Sequence, residues 1–441
     1  MEKNNHKISL TGAVAVIAAC MIGTGVFTSL GFQVYDAASQ SGMKSNFAIL
    51  ILWTTGGLVA LCGALVYSEL AVRFPGSGGE YNYLSRIYHP ILGFLSGWVS
   101  ATIGFAAPIA LSSMAFGKYF AKIVPAVHPS IAAIIVVALA SLVNFMGLSM
   151  SEKVQKGTTY LNLFLIILLI VFGIFAAGNV SHFEIHVSTV DFSDIFSSSF
   201  AISLVYVSYA FSGWNAVTYI AGDVKNPNKN VPRSLLISVL LVATLYVLLN
   251  FVFLYRVPQE SLAGQIEVGA IAANAIFGEI GEKIVAGLIC LGLLASVLGM
   301  TIAGPRLTEK MGQDIVGLKF LANRNKYNAP IVAITIQTSI ALILALTNSF
   351  DAVLRYVGIT LALFTLMTVC GLFVARFTNK LENQKIITVI AAIIFIILEI
   401  WMIYHNLKKH TNESLLGLGT IVVGWVVYYI ATFNSKGKNQ P

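Results

Sequence analysis

Apolar runs of about 20 residues, the length a helix needs to cross the hydrocarbon core of a bilayer, dominate this chain. They recur twelve times, centred near Ala19, Val59, Ala106, Val136, Leu168, Tyr209, Leu245, Leu291, Ile340, Phe364, Ile394 and Val423. Little sequence is left between them for a soluble domain, so residues 1–441 read as one all-α integral membrane unit. Composition agrees, with 57% hydrophobic and 10% charged residues and a mean hydropathy of +0.82, whereas soluble domains are about a quarter charged. The first run, from Ile8 to Leu30, is too long and too broken by glycine for a cleavable signal, and no small-residue cleavage pattern follows a short apolar core. It reads as the first helix of the mature protein.

A net charge of +8 invites nucleic acid or acidic lipid as a partner, but the placement of the charges gives a simpler account. With the amino terminus inside, 19 of the 27 Lys and Arg fall on the inner side, and 8 (Lys44, Lys118, Lys122, Arg256, Lys283, Arg355, Lys408 and Lys409) on the outer. That asymmetry is the positive-inside pattern, which puts both termini in the cytoplasm. The expected surrounding is the lipid of the cell membrane, and no nucleic acid is needed. Cys20, Cys62, Cys290 and Cys370 lie in predicted helices without metal or redox spacing and read as small core residues.

Run 1 contains "IGTGVF" at residues 22–27, with glycine twice where helix is needed. Glycine costs about 1 kcal/mol relative to alanine in a helix interior, and in lipid each freed N–H and C=O must find another partner. Small residues can serve close helix packing or mark a break. Run 6 favours the break: in "SYAFSGWNAVTYI", Ser212 and Gly213 interrupt an aromatic-rich core about 190 residues later. Runs 1 to 5 (about 8–178) and 6 to 10 (about 195–380) then form two halves whose first members are both broken, with runs 11 and 12 (about 385–433) outside. Five is odd, so the halves are inverted, as in many secondary transporters. Gly23 and Gly25 permit unwinding that exposes N–H groups to a carboxylate, with Thr24 adding a hydroxyl. Phe211, Ser212 and Gly213 offer carbonyls to an ammonium. One break for an acid and one for a base together describe an amino acid.

The connections are short and polar: "RFPGSGGEYNY" after run 2, "SMSEKVQKG" after run 4 and "DVKNPNKNVPRS" after run 6 read as turns. The acidic segment before run 6 is long enough for a short interfacial element. All seven histidines sit in loops or at helix ends, and His182 and His186, flanking Glu184, read as loop rather than as a zinc site. No metal, cofactor or enzymatic nucleophile is expected. Two acids lie within runs. Glu69 is four residues from Arg73 and reads as a helix-end ion pair, whereas Glu399 lies toward the outer end of run 11, where packing, an oligomer contact and a functional role compete. With no acid or base beside the breaks, neutral zwitterions are favoured over polyamines or dianions.

Four stretches in order, "IGTGVF", "GALVYSELAVRFPGSGGEYNYLSRIYHPILGFLSGW", "YAFSGWNAVTYIAGDVKNPNKNVPRSL" and "MGQDIVGLKFLANRNKYNAPIVA", resemble the amino acid-polyamine-organocation superfamily. The run 6 stretch is most similar to the L-type amino acid transporter branch and its bacterial relatives. The resemblance implies twelve helices in the five-plus-five inverted repeat of a bacterial leucine transporter. It matches Ile22, Gly23, Thr24 and Gly25 to the carboxylate segment and Phe211, Ser212 and Gly213 to the amino-group segment. Tyr209 falls where relatives have an aromatic gate, and Trp214 with Asn215 would face the side-chain pocket. One departure concerns coupling: many members carry a lysine seven residues after a helix-5 glutamine, where this chain has Asn162. Lys156 is too near the helix start to replace it. Exchange without an ion, coupling through another group, and sodium on run 1 carbonyls and run 8 hydroxyls such as Ser296 all stay open.

The expected function is secondary transport of neutral L-amino acids, by permeation or exchange, as runs 1, 2, 6 and 7 rock against the rest. The alternatives are a polyamine or cationic amino acid antiporter and a transporter-fold sensor without flux. A major facilitator would carry a basic motif where this chain has "FPGSGGEY". A homodimer is left open, and no outer-loop cysteine is placed for a disulfide-linked accessory subunit of the kind used by animal relatives.

Overall fold

The computed structural model describes residues 7–35, 37, 41–147, 152–176, 189–378, 380 and 385–436. Its α-helices are α1 (Leu10–Met21), α2 (Thr24–Thr28), α3 (Asn46–Arg73), α4 (Gly79–Ile87), α5 (Pro90–Val99), α6 (Ala106–Ile123), α7 (Pro129–Phe145), α8 (Glu152–Phe175), α9 (Thr189–Ile195), α10 (Ser198–Ala210), α11 (Ala216–Tyr219), α12 (Pro227–Arg256), α13 (Gln259–Leu262), α14 (Val268–Asp314), α15 (Ile331–Thr347), α16 (Phe350–Phe377), α17 (Ile386–Lys409) and α18 (Thr411–Lys436). Among the described residues the only β pairing is three isolated bridges. Each predicted run centre lies in one of these helices.

Eight helical segments are long and apolar enough to cross a membrane: α3, the continuous Pro90–Ile123, Gly157–Phe175 of α8, α12, α14, α16, α17 and Thr411–Thr432 of α18. The bent pair Leu10–Met21 and Thr24–Phe32 makes a ninth, and α7, α10 and α15 are apolar but shorter. Large apolar side chains such as Ile131, Phe164, Leu240, Ile397 and Val422 are exposed around the outside, a surface that suits lipid and not water.

Local chemistry sets where helices begin. The hydroxyls of Ser9, Ser45, Ser197 and Ser349 accept from the N–H groups of Gly12, Ala48, Phe200 and Ala352, capping α1, α3, α10 and α16. Pro90, Pro129 and Pro227 occupy first-turn positions, where the missing N–H costs nothing.

Packing then orders the bundle. The most extensive interfaces pair α3 with α12 and α6 with α14, while α1 lies on α12 and α10 on α3. One end, here the amino-end face, carries Ile8, whose N–H donates to Asp223 O at 2.8 Å, together with α4 against α11. At the opposite face α9 sits where a short interfacial element was expected. There Asp194 Oδ2 accepts from the N–H groups of Lys44 and Ser45, both at 3.0 Å, at the start of α3.

Several expectations are corrected. The "RFPGSGGEYNY" connection is not simply a turn: Gly78 (φ 113°) and Gly79 (φ 50°) adopt left-handed backbone and lead into α4, a helix too short and too polar to register as an apolar run. Cys20 is exposed, not core: the rotation of α1 turns it outward, as it does Ala15, while Ile17, Ala18 and Met21 face inward. Glu399 lies near the middle of α17 and is 4% exposed, on the face turned into the bundle; Ile393, Ile397 and Ile400 face outward. A role in an outer-surface oligomer contact is therefore removed. His182, Glu184 and His186 lie outside the described residues, as does the side chain of Lys156.

Toward the opposite face, Arg355 of α16 is 7% exposed and binds three partners. It donates to Tyr206 Oη at 2.9 Å, to Glu413 Oε1 at 2.8 Å and to Asp351 Oδ2, joining α10, α16 and α18. Removing one member of such a buried set costs about 3 kcal/mol or more. Arg355→Met is therefore expected to lower the melting temperature of the detergent-purified protein by several degrees. An unchanged melting curve would show that the cluster contributes nothing net.

Candidate substrate site

Two helix breaks meet in the middle of the bundle. After Met21, Ile22 (φ −80°, ψ 93°) and Gly23 (φ −138°, ψ −144°) leave helical geometry before α2 begins at Thr24, and the two pieces bend by 40°. After Ala210, residues 211–215 form turns, with Gly213 at φ +91°, before α11 resumes at Ala216. Ser212 N–H donates to Tyr209 O at 2.9 Å and Ala216 N–H to Gly213 O at 3.0 Å, so part of the unwound backbone is satisfied locally.

Glycine is needed at both crossings for steric reasons. A Cβ at Gly25 would lie 2.5 Å from Ala210 Cα, and one at Gly213 would lie 2.8 Å from Cys20 O. The second half of each broken helix thus rests on the first half of the other. Thr24 Oγ1 and Tyr209 Oη lie 3.4 Å apart across the same junction.

Carbonyls at the carboxyl ends of both pieces of run 1 are taken by tyrosines from neighbouring helices. Tyr246 of α12 donates to Met21 O at 2.7 Å, and Tyr119 of α6 donates to Phe27 O at 2.8 Å while its oxygen accepts Gly269 N–H at 3.0 Å. The N–H groups at the start of α2 have no intrahelical acceptor. No Cβ-distance neighbour lies within 4 Å at Gly23, so backbone is accessible there.

A narrow, partly open recess adjoins this point and is lined by Gly23, Phe27, Asn162, Ile289, Gly292 and Leu293. Asn162 Oδ1 lies against Gly292, 2.3 Å from where a Cβ would stand. The structure therefore brings Gly23 and Asn162 together. Ser296 is one turn further along α14, with its Oγ 3.4 Å from Ser112 Oγ, and it does not line the recess. None of the recess or break residues is charged.

Ile22 and Phe211 are buried, and Ser212 is half-buried. Trp214 packs edge-on against Tyr67 at 4.7 Å between ring centroids and over Gly63. Asn215 points away from the recess: its Nδ2 donates to Glu80 Oε1 at 3.0 Å.

Glu80 is a buried acid that sequence reading missed. It is 5% exposed, lies on α4 outside the spanning segments, and also accepts from Tyr67 Oη at 2.8 Å. Burial pushes its carboxyl up to about 7, although the hydrogen bonds from Tyr67 and Asn215 oppose the rise. An acid in a "GSGGEY" connection looks like solvated loop, and the only signal against that is the glycine pair that lets the chain turn back into the bundle. Among the described residues no three His, Cys, Asp or Glu come together to hold a metal.

The sequence profile described as amino acid permease matches residues 8–428. The b(0,+)-type amino acid transporter 1 of Mus musculus is 26% identical over 448 residues, covering 98% of this chain and 89% of its own length. The serine/threonine exchanger SteT of Bacillus subtilis is 27% identical over 391 residues, covering 87% and 86%. The large neutral amino acids transporter small subunit 2 of Homo sapiens is 26% identical over 445 residues, covering 97% and 80%.

Because the Gly25 and Gly213 contacts are with backbone, a larger side chain must push the half-helices apart, a cost of about 1–3 kcal/mol or more. Gly25→Leu and Gly213→Leu are each expected to abolish uptake while the protein still reaches the membrane. Normal transport by both would remove the junction from the site.

Proposed function

The chain belongs to the amino acid permease family, and we propose that this membrane transporter of amino acids exchanges neutral L-amino acids across the cell membrane by alternating access. The observation that carries the reading is the direct crossing of two broken helices with no charged side chain at either break. Backbone N–H groups around Gly23 to Gly25 take the carboxylate and carbonyls near Phe211 to Gly213 the ammonium. A zwitterion satisfies both without leaving a buried charge unpaired. Tyr209, held at Thr24, covers the site. Of the other candidate residues only Asn162 lines the recess beside Gly23, and its amide cannot carry a proton. Exchange is supported by the Bacillus subtilis relative, itself a serine/threonine exchanger.

Counting the bent pair and the three shorter apolar helices as spans gives twelve. The contact pattern supports an inverted repeat within the first ten. The α1–α11 contact is mirrored by α10–α2, α1–α12 by α10–α3, α8–α14 by α16–α6 and α6–α7 by α14–α15. Runs 1, 2, 6 and 7 contact one another as α1, α3, α10 to α11 and α12, a group suited to rock as a unit. The charge asymmetry supports a cytoplasmic amino-end face.

A cationic substrate is the second reading, favoured by Glu399. Its Oε2 has no hydrogen-bond partner among the described residues, and Phe395, one turn away, touches the Gly63 position beside Trp214.

Proteoliposomes preloaded with unlabelled amino acid are expected to accumulate radiolabelled serine, threonine or leucine several-fold over empty vesicles, regardless of a sodium gradient. Accumulation of lysine or putrescine alone would support the cationic reading. No flux of any of these would overturn transport of this class.

A further inference from the structure

Glu80 is a buried acid that binding of a neutral amino acid does not use, and it ties together three elements that must separate if the amino-end face is to open. Its Oε1 accepts from Tyr67 of α3 and from Asn215, the residue just before α11. Glu80 itself rides on α4, which packs against α11 and against α16. Tyr219 of α11 closes the same contact, its ring 2.9 Å from where a Cβ on Gly79 would stand. Nothing else at this end links the second half of run 6 to run 2 through a single side chain among the described hydrogen bonds.

The electrostatic surroundings leave the carboxylate without a counter-ion. Its charge acts on Tyr67, Tyr83 and Tyr219, from α3, α4 and α11, and α16 contributes Thr368, which bonds Tyr67. Two cations at this end bond backbone oxygens: Arg86 donates to Pro75 O at 3.2 Å, and Lys380 Nζ donates to Arg86 O at 2.7 Å. Hydrogen bonds to a carboxylate are roughly twice as strong as those to its neutral acid, so gain of one proton weakens both ties at once.

We propose that Glu80 is a proton site of the transport cycle: ionised, it holds Tyr67 and Asn215 together and keeps the amino-end face closed, and protonated, it lets α11 move away from α3 and α4. This assignment rests on the transport reading above and supplies the titratable group that Asn162 cannot. The proton enters and leaves as the only transferred species, with no change in covalent bonding elsewhere.

The test is exchange of radiolabelled serine in proteoliposomes with equal pH on both sides. Given a carboxyl that titrates near neutrality, the protonated fraction falls roughly tenfold between about pH 6 and about pH 8, and the wild-type rate is expected to follow it. Glu80→Gln should hold the low-pH rate throughout. Tyr67→Phe removes a bond that favours the ionised form, so its midpoint should move to higher pH, a readout that stands even if Glu80→Gln fails to fold. A flat wild-type profile, a Glu80→Gln profile with the wild-type slope, or an unmoved Tyr67→Phe midpoint would each overturn the proposal. Absence of exchange by wild-type protein at every pH would instead overturn the transport reading beneath it.

Discussion

A polypeptide in an apolar medium cannot leave backbone N–H and C=O groups unpaired, because each costs several kcal/mol, and this bundle interrupts two of its helices where that rule is strictest. The crossing of those interruptions organises the rest. Gly25 against Ala210 and Gly213 against Cys20 bring the helices to backbone contact, and carbonyls at the carboxyl ends of the two pieces of run 1, Met21 O and Phe27 O, are claimed by Tyr246 and Tyr119. Those tyrosines belong to α12 and α6, members of the two most extensive helix pairs. Helix packing and the satisfaction of the site are therefore one requirement.

The N–H groups opening α2 and the open position at Gly23 adjoin a recess lined by apolar residues and Asn162, with no charged side chain. The proposed function follows from that surface, which suits a molecule bearing both charges and no surplus. Charge is concentrated instead toward the two ends, in the Arg355 cluster at one and Glu80 at the other, where neighbouring helices are tied together. A carrier needs such ties to be strong enough to close a face and weak enough to release it, and a carboxyl with hydrogen-bond donors but no cation fits that description better than a complete ion pair.

Much of this was legible in the residues. Each run centre read from hydropathy falls in a helix, the glycine pair at 23 and 25 and the Ser212–Gly213 step marked both breaks, and the family resemblance singled out Asn162, which does lie beside Gly23. The readings that failed share a cause. Cys20 was assigned to the core and Glu399 to the outer end of its helix because hydropathy is blind to helix rotation and depth. Glu80 was passed over because a short amphipathic helix between polar turns carries too few apolar residues to stand out.

The sequence by itself determined the solvent, the helical class, the positions of the two breaks and the absence of charge beside them, since these follow from local composition and from the intrinsic freedom of glycine. Only the tertiary structure decided which groups meet: Asn215 with Glu80 across 135 positions, Tyr206 with Arg355 across 149, and Thr24 with Tyr209 across 185. The rotation of each helix about its axis settles such pairings, and that rotation is set by how all its neighbours pack, a property that no single segment contains.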